Sequence, residues 1–180
     1  GDPVPNFRLR ALDGAMVKLA DLAYAGPERS YAKKRPVLLD FFRTDCRPCL
    51  EAMPELVQVH NAYKERGRQV LLVAILEEER GRAKLEAYLA KAALPFTVVV
   101  DPNDHFAKKY LGDTVSLPAT FLISRHGQLL GAKYDAKGSL QEHFAKPMEV
   151  ALDPNAPPME AEKKKIKKRK KRKKRRSKSS

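Results

Sequence analysis

The chain has 180 residues, which is enough for one globular domain with appended segments. No apolar run approaches the roughly 18 residues that a membrane-spanning helix needs. The formal net charge is +14, but residues 163–178 hold 14 Lys and Arg and no acid. Removing those 14 from the 36 basic residues leaves 22, which the 22 acidic residues balance. Composition therefore excludes a basic domain and predicts a neutral one with a cationic tail.

The first predicted elements are two short strands within Phe7 to Leu19, joined by an Asp13-Gly14 turn. Ala20 to Arg35 lacks a clear periodicity and contains a Gly-Pro pair, so we expect a surface loop with a short helix there. Val37 to Phe42 is almost continuously apolar, which predicts a buried strand.

A helix is predicted from Arg47 to about Arg66, ended by Gly67. Val70 to Leu76 is apolar throughout, as central strands of parallel sheets tend to be. A second helix is predicted from Glu77 to about Ala93, and a further strand from Thr97 to Val100.

The last predicted elements are a short helix at Asp104 to Tyr110, a hairpin formed by Ala119 to Ser124 and Leu129 to Tyr134, and a final helix at Ser139 to Ala145. This order predicts an α/β fold with a central mixed sheet and helices on both faces. We expect a domain over residues 1–146, a Pro-rich linker over 147–162 and a disordered Lys/Arg-rich tail over 163–180.

The chain has only two cysteines, Cys46 and Cys49, and they stand as C-x-x-C between a predicted strand and a predicted helix. Unpaired N–H groups at a helix start stabilise a thiolate, which is the form that attacks a disulfide. Cys46 is therefore the expected nucleophile and Cys49 the resolving thiol. The alternatives are two inert buried thiols or a structural zinc site, but zinc needs four ligands and the four histidines lack suitable spacing.

Three stretches resemble the TlpA/ResA-type branch of the thioredoxin superfamily: Val37 to Phe42, running on through the cysteines to Met53-Pro54-Glu55-Leu56; Leu94 to Asp101; and Leu117 to Ile123 with the following His126-Gly127. A C-x-P-C followed far downstream by x-P-x-T-F-L-I is a specific combination. The resemblance covers roughly residues 3–146. It implies a thioredoxin fold with an N-terminal β-hairpin and a central insertion made of the Glu77–Ala93 helix and the Thr97–Val100 strand.

The resemblance implies a thiol–disulfide oxidoreductase that reduces protein disulfides and needs no cofactor beyond its own Cys46–Cys49 disulfide. Pro118 resembles the family's cis-proline beside the dithiol, so Leu117 would offer its backbone to a substrate peptide. A strand-start proline is the alternative for Pro118. Residues expected to contact substrate are Arg47, Pro48, Leu117 and Pro118.

Asp40 stands within the apolar strand, six residues before Cys46. Burial of a carboxylate is costly, so its pKa should rise. Classical thioredoxins carry an acid at this place, whereas some TlpA-type proteins carry a Glu at the place that Ala52 occupies here. We therefore expect Asp40 to accept the Cys49 proton. The alternative is that strand alternation points Asp40 to solvent.

Asp45 stands where the family usually has Trp before the first cysteine. Its charge should destabilise the Cys46 thiolate, whereas Arg47 and the helix start should stabilise it, so a pKa near neutral is expected for Cys46. Loss of the Trp also removes a flat contact surface for substrates.

Peroxiredoxins offer a rival interpretation because their fold is similar. That family has P-x-x-x-T-x-x-C around its peroxidatic cysteine. Leu39 and Arg43 occupy the Pro and Thr places here, and Thr44 is one position off. The mismatch argues against peroxidase activity.

The cationic tail has no apolar residues to bury beyond Ile166, and its like charges repel one another, so it is not expected to fold alone. It is interpreted either as a solvated tail or as a nonspecific tether to a polyanion, meaning nucleic acid or an anionic membrane surface. Its cationic residues are Lys163, Lys164, Lys165, Lys167, Lys168, Arg169, Lys170, Lys171, Arg172, Lys173, Lys174, Arg175, Arg176 and Lys178.

The expected partners are disulfide-containing protein substrates and an upstream dithiol protein that donates electrons, with the protein itself a monomer. The sequence starts with Gly1 rather than Met, so we expect a processed product that acts in the periplasm or envelope after loss of an export signal, with the cytoplasm as the alternative. Two other functions stay open: a net disulfide oxidant or isomerase, and a polyanion-binding protein that uses the thioredoxin fold as a scaffold.

Overall fold

A computed structural model describes residues 3–23, 34–76, 79–153 and 155–156. The cationic tail, the linker from residue 157 and most of the loop predicted between Ala20 and Arg35 lie outside the described residues. Among the helices of the described part, none is both long and apolar enough to cross a membrane.

The strands of the described residues are β1 (Arg8–Ala11), β2 (Met16–Lys18), β3 (Val37–Phe42), β4 (Gln69–Leu76), β5 (Thr97–Pro102), β6 (Ala119–Ile123) and β7 (Leu129–Lys133). The helices are α1 (Leu19–Leu22), α2 (Arg47–Tyr63), α3 (Glu79–Ala92), α4 (Ala107–Leu111) and α5 (Leu140–Leu152). A 3₁₀ turn over Lys64–Arg66 ends α2, and Gly67 follows it in the left-handed region at φ 82°.

These strands form one mixed sheet in the order β2-β1-β5-β4-β3-β6-β7. The central strands β3, β4 and β5 run parallel, whereas β6 pairs antiparallel with both β3 and β7. All six residues of β3 are buried, because the strand lies inside the sheet and helices cover both faces. The predicted α/β class, with a mixed sheet between helices, is confirmed.

Two apolar cores lie on opposite faces of the sheet. One packs α2, α3 and α5 against side chains such as Leu38 and Phe42, and the other packs the N-terminal segment, α1 and α4 against side chains such as Leu39 and Phe41. The alternation of β3 residues between the two cores places Asp40 on the face covered by α2 and α5.

The final helix differs from the prediction, which ended it at Ala145 and began the linker at residue 147. Helix α5 continues to Leu152 with Pro147 inside it, and Met148 and Ala151 are buried in the core. A proline inside a helix costs about 3 kcal/mol. Burial of these side chains is worth about 1.5–3 kcal/mol for the larger one and offsets much of that cost. Residues 147–152 therefore belong to the folded domain.

Candidate functional site

The dithiol site begins where β3 ends at the carboxyl edge of the parallel strands. The chain leaves Phe42, and the Cys46 N–H donates to the Arg43 carbonyl oxygen at 3.2 Å, which closes a turn. Cys46 is the N-cap of α2, and its Sγ accepts a hydrogen bond from the Cys49 N–H at 3.3 Å. Pro48 fits the first turn of α2 because N–H groups there have no intrahelical partner.

Cys46 and Cys49 form a disulfide with an S–S distance of 2.04 Å. Cys46 is half-buried, whereas Cys49 is 2% exposed and packs in the core beneath α2. The sulfur that an external disulfide can approach is therefore that of Cys46. The roles of Cys46 as nucleophile and of Cys49 as resolving thiol stay predictions.

Asp40 is 7% exposed in the middle of β3. Its Oδ1 accepts a hydrogen bond from Thr120 Oγ1 at 2.6 Å, and the two residues are direct partners across β3 and β6. Desolvation raises the pKa of Asp40 to about 7, although the Thr120 hydrogen bond acts to lower it. The predicted burial of this carboxyl is confirmed, and the solvent-facing alternative is wrong.

The Leu117–Pro118 peptide bond is cis, as the family resemblance implies. Pro118 lines a pocket of about 20 Å³ together with Asp40 and Cys49. That volume corresponds to roughly one water molecule. The pocket therefore brings Cys49, the buried acid and the cis-proline loop to one place.

Arg47 and Pro48 lie on the exposed rim of the site. Arg47 Nε donates to Glu51 Oε1 at 2.7 Å along the surface of α2, and the two side chains are 89% and 60% exposed. Asp45 is exposed as well. An approaching protein can thus contact the exposed side chains of Asp45, Arg47 and Pro48. Their part in substrate binding stays a prediction.

Sequence reasoning missed Thr120, Lys133 and Glu55, which also line the pocket. Thr120 carried a weak signal as a polar residue two positions after Pro118 within an otherwise apolar run. Lys133 carried none, because a lysine near a strand end is ordinarily exposed. The described residues contain no group of three or more His, Cys, Asp or Glu side chains that could hold a metal ion.

Comparisons with known proteins agree with this geometry. The chain matches the AhpC/TSA family over residues 1–131. It is 30% identical over 129 residues to the thiol-disulfide oxidoreductase ResA of Geobacillus kaustophilus, and 27% identical over 130 residues to ResA of Bacillus thuringiensis. Each alignment covers 72% of this chain and 66% of the relative, so the chain spans slightly less than two thirds of these proteins.

Solved structures show the same fold. A candidate thiol:disulfide interchange protein DsbE from Chlorobium tepidum superposes with a TM-score of 0.68 at 28% identity, over 84% of this chain and 96% of that one. A secreted disulfide oxidoreductase from Mycobacterium tuberculosis superposes with a TM-score of 0.61 at 19% identity, over 80% and 95%. The chain belongs to the AhpC/TSA family, and it carries the C-x-x-C motif of ResA-type thiol-disulfide oxidoreductases on a thioredoxin fold.

Proposed function

We propose that this protein is a thiol–disulfide oxidoreductase that reduces protein disulfides through Cys46 and Cys49. The observation that carries the proposal is the shared pocket: Cys49, the buried Asp40 and cis-Pro118 line it, while Cys46 stands at the helix start with its sulfur more accessible. A scaffold protein would need none of these groups in one place.

The reaction begins with the reduced dithiol. The Cys46 thiolate attacks one sulfur of a substrate disulfide, the substrate S–S bond breaks, and the leaving thiolate takes a proton from solvent. The Cys49 thiol then gives its proton to the Asp40 carboxylate. The Cys49 thiolate attacks Cys46 Sγ, which forms the Cys46–Cys49 disulfide and expels the second substrate sulfur as a thiolate. That thiolate takes a proton from solvent, and Asp40 later returns its proton to solvent. Two electrons pass from the protein to the substrate.

The raised pKa of Asp40 suits the second step. A base whose pKa is about 7 is partly ionised at neutral pH and is strong enough to take a thiol proton as the sulfur attacks. An ordinary carboxylate with a pKa of about 4 would be a poorer acceptor. Burial of Asp40 thus supplies the basicity that the resolving step needs.

A second dithiol protein must return two electrons to the oxidised form after each turnover.

Disulfides persist in exported and envelope compartments rather than in the cytosol, so we place the substrates and this protein there. Fractionation of cells that express the protein tests this placement, and recovery in the cytosol alone would contradict it.

Two measurements test whether the protein reduces or oxidises its substrates. They are the reduction potential of the Cys46–Cys49 couple and a turnover assay on a disulfide-bonded protein such as insulin. We expect a potential near that of thioredoxin, about −270 mV, and catalysed reduction with dithiothreitol as electron source. A potential near about −120 mV would identify a net oxidant instead. Absence of any thiol–disulfide exchange would overturn the proposal.

We also propose that the cationic tail tethers the domain to a polyanion. The 14 basic residues within 163–178 support this, because the rest of the chain is neutral. Truncation after Glu162 should remove salt-sensitive binding to duplex DNA and to anionic vesicles while turnover on a small disulfide stays unchanged. Salt-resistant, sequence-selective binding by the truncated protein would contradict the tether.

A further inference from the structure

A row of polar side chains crosses the sheet beneath the dithiol helix. Asp40 of β3 is paired with Thr120 of β6, and Thr120 is paired in turn with Lys133 of β7. Directly paired residues on neighbouring strands point to the same face of a sheet. All three residues line the pocket that Cys49 also lines, so Lys133 stands at the opposite end of this row from the buried acid.

Lys133 is only 8% exposed, and the turn over residues 135–138 folds around its ammonium group. The Nζ donates to the Asp135 carbonyl oxygen at 2.9 Å, to Asp135 Oδ1 at 2.6 Å and to the Lys137 carbonyl oxygen. These three bonds use every donor that an ammonium group has. Asp135 and Gly138 of the turn line the pocket, so Lys133 fixes one of its walls.

The far end of the turn is fixed to the dithiol helix itself. Glu55 of α2 accepts hydrogen bonds through Oε1 from Ser139 Oγ at 2.8 Å and from the Leu140 N–H at 2.6 Å. The turn is therefore held at both ends, by Lys133 on the sheet and by Glu55 on the helix that carries the cysteines. Besides Asp40, the charged side chains lining the pocket are those of Glu55, Lys133 and Asp135.

We propose that Lys133 is a positioning residue that holds the 135–138 turn against the pocket and thereby keeps Asp40 desolvated and basic for the resolving step. The inference rests on the proposed function, because the basicity of Asp40 matters only if Cys49 must lose a proton. Cys49 lines the same pocket as this turn, whereas Cys46 is not among the residues that line it.

Lys133 could act on Asp40 in two ways, and the two have opposite signs. If it acted as a nearby positive charge, its removal would raise the pKa of Asp40, because a cation favours the carboxylate. If it acts by holding the turn closed, its removal admits water and lowers that pKa, because burial is the main cause of the shift. Burial and the Thr120 hydrogen bond account for the shift of Asp40, which favours the second action.

The test is a carbon-13 NMR titration of the Asp40 carboxyl in the oxidised full-length chain, with Asp40→Asn used to assign the signal. We expect Lys133→Gln to lower the midpoint by about one pH unit or more, from about 7 toward the ordinary range near 4. Lys133→Arg should restore most of the parent value. The pH profile of mixed-disulfide resolution should move by the same amount and in the same direction.

A second variant, which keeps every charge of the protein, tests the same inference if Lys133→Gln does not fold. Gly138 has φ +67° with open space around it, so Gly138→Ala strains the turn without changing any charge. Gly112→Ala is the matched control, because Gly112 has φ +80°, equally open space, and a position outside the pocket. Gly138→Ala should lower the midpoint by less than Lys133→Gln does, and Gly112→Ala should leave it unchanged.

An unchanged or raised midpoint in Lys133→Gln would overturn the inference; if that variant does not fold, an unchanged midpoint in Gly138→Ala would do so. The titration uses the oxidised protein and needs no turnover. Its failure is therefore distinct from a failure of the proposed function, which would appear as absence of disulfide exchange in the parent.

Discussion

The two sulfurs of the dithiol stand three residues apart and meet different surroundings. Cys46 is half-buried among the exposed side chains of Asp45, Arg47 and Pro48, at the start of α2. Cys49 is 2% exposed and lines a pocket that the buried Asp40 also lines. The outer sulfur is open to a partner protein, and the inner one is open only to groups of its own domain.

These two environments predict different effects of substitutions near each cysteine. Substitutions around Cys46 change charges in contact with water, where interactions are screened and individually small. Substitutions around Cys49 and Asp40 change desolvated groups. A change in hydrogen bonding or hydration there shifts a pKa by about one pH unit or more. We therefore expect the inner residues to set the rate of resolution and the outer ones to adjust the encounter with substrate.

The largest expected effect comes from the sulfurs themselves. Cys46→Ser should reduce turnover to background, because the remaining thiol, Cys49, is 2% exposed and inaccessible to a substrate disulfide. Cys49→Ala should still make the first attack and accumulate a mixed disulfide through Cys46, visible by mass spectrometry under non-reducing conditions. Multiple turnover by Cys46→Ser at the parent rate would remove the distinction between the two sulfurs.

Next in size is the loss of the inner base. Asp40→Asn should slow release of the mixed disulfide by about a hundredfold, which is the lower range for general-base catalysis. The first attack should proceed at the parent rate, so rapid-quench experiments that follow both steps are required. Equal release rates in the variant and the parent would reject Asp40 as the proton acceptor. The exposed Arg82→Gln, remote from the pocket, serves as a control.

Burial of Asp40 also predicts how stability depends on pH. Because the folded-state pKa is raised to about 7, the folded protein binds more protons than the unfolded chain between about pH 4 and pH 7. The contribution of Asp40 to the free energy of unfolding should therefore fall by about 2–4 kcal/mol as pH rises through that window. Urea unfolding of the oxidised parent and of Asp40→Asn should show this loss in the parent alone. Parallel pH curves would contradict it.

The smallest expected effect lies on the rim. Asp45→Trp should lower the pKa of Cys46 by less than about one unit, because it removes an exposed negative charge beside the sulfur. Thiolate absorbance in the Cys49→Ala background measures it, and Asp45→Asn separates the loss of charge from the added ring. If both variants leave the Cys46 pKa unchanged, Asp45 does not act on the sulfur.

Much of this fold follows from local signals. The bounds of β3 are Val37 and Phe42, as predicted, because the strand is a short apolar run between polar segments. The end of α5 could not be predicted, because Pro147 is a local stop signal whereas burial of Met148 depends on tertiary packing. At this position the local sequence pattern predicts a helix end, whereas burial of Met148 favours continued helix, and the structure has the helix.

The residues of the site also fall into those that local motifs predict and those that depend on tertiary structure. Cys46, Cys49 and Pro118 belong to short motifs, so the sequence alone points to them. Thr120 gives only a weak local signal, and Lys133 enters the pocket through the register of β7 against β6, which no local pattern specifies. The sequence therefore points to the reacting sulfurs and to the buried acid Asp40, but not to Lys133 or the turn that Lys133 bonds.

The most direct test of the division between an outer nucleophile and an inner resolving thiol is alkylation of the reduced protein. One equivalent of iodoacetamide at pH 7, followed by peptide mass spectrometry, reports which sulfur is the accessible thiolate. We expect modification at Cys46 with Cys49 left free until the protein unfolds. Preferential modification of Cys49 in the folded protein would contradict the account.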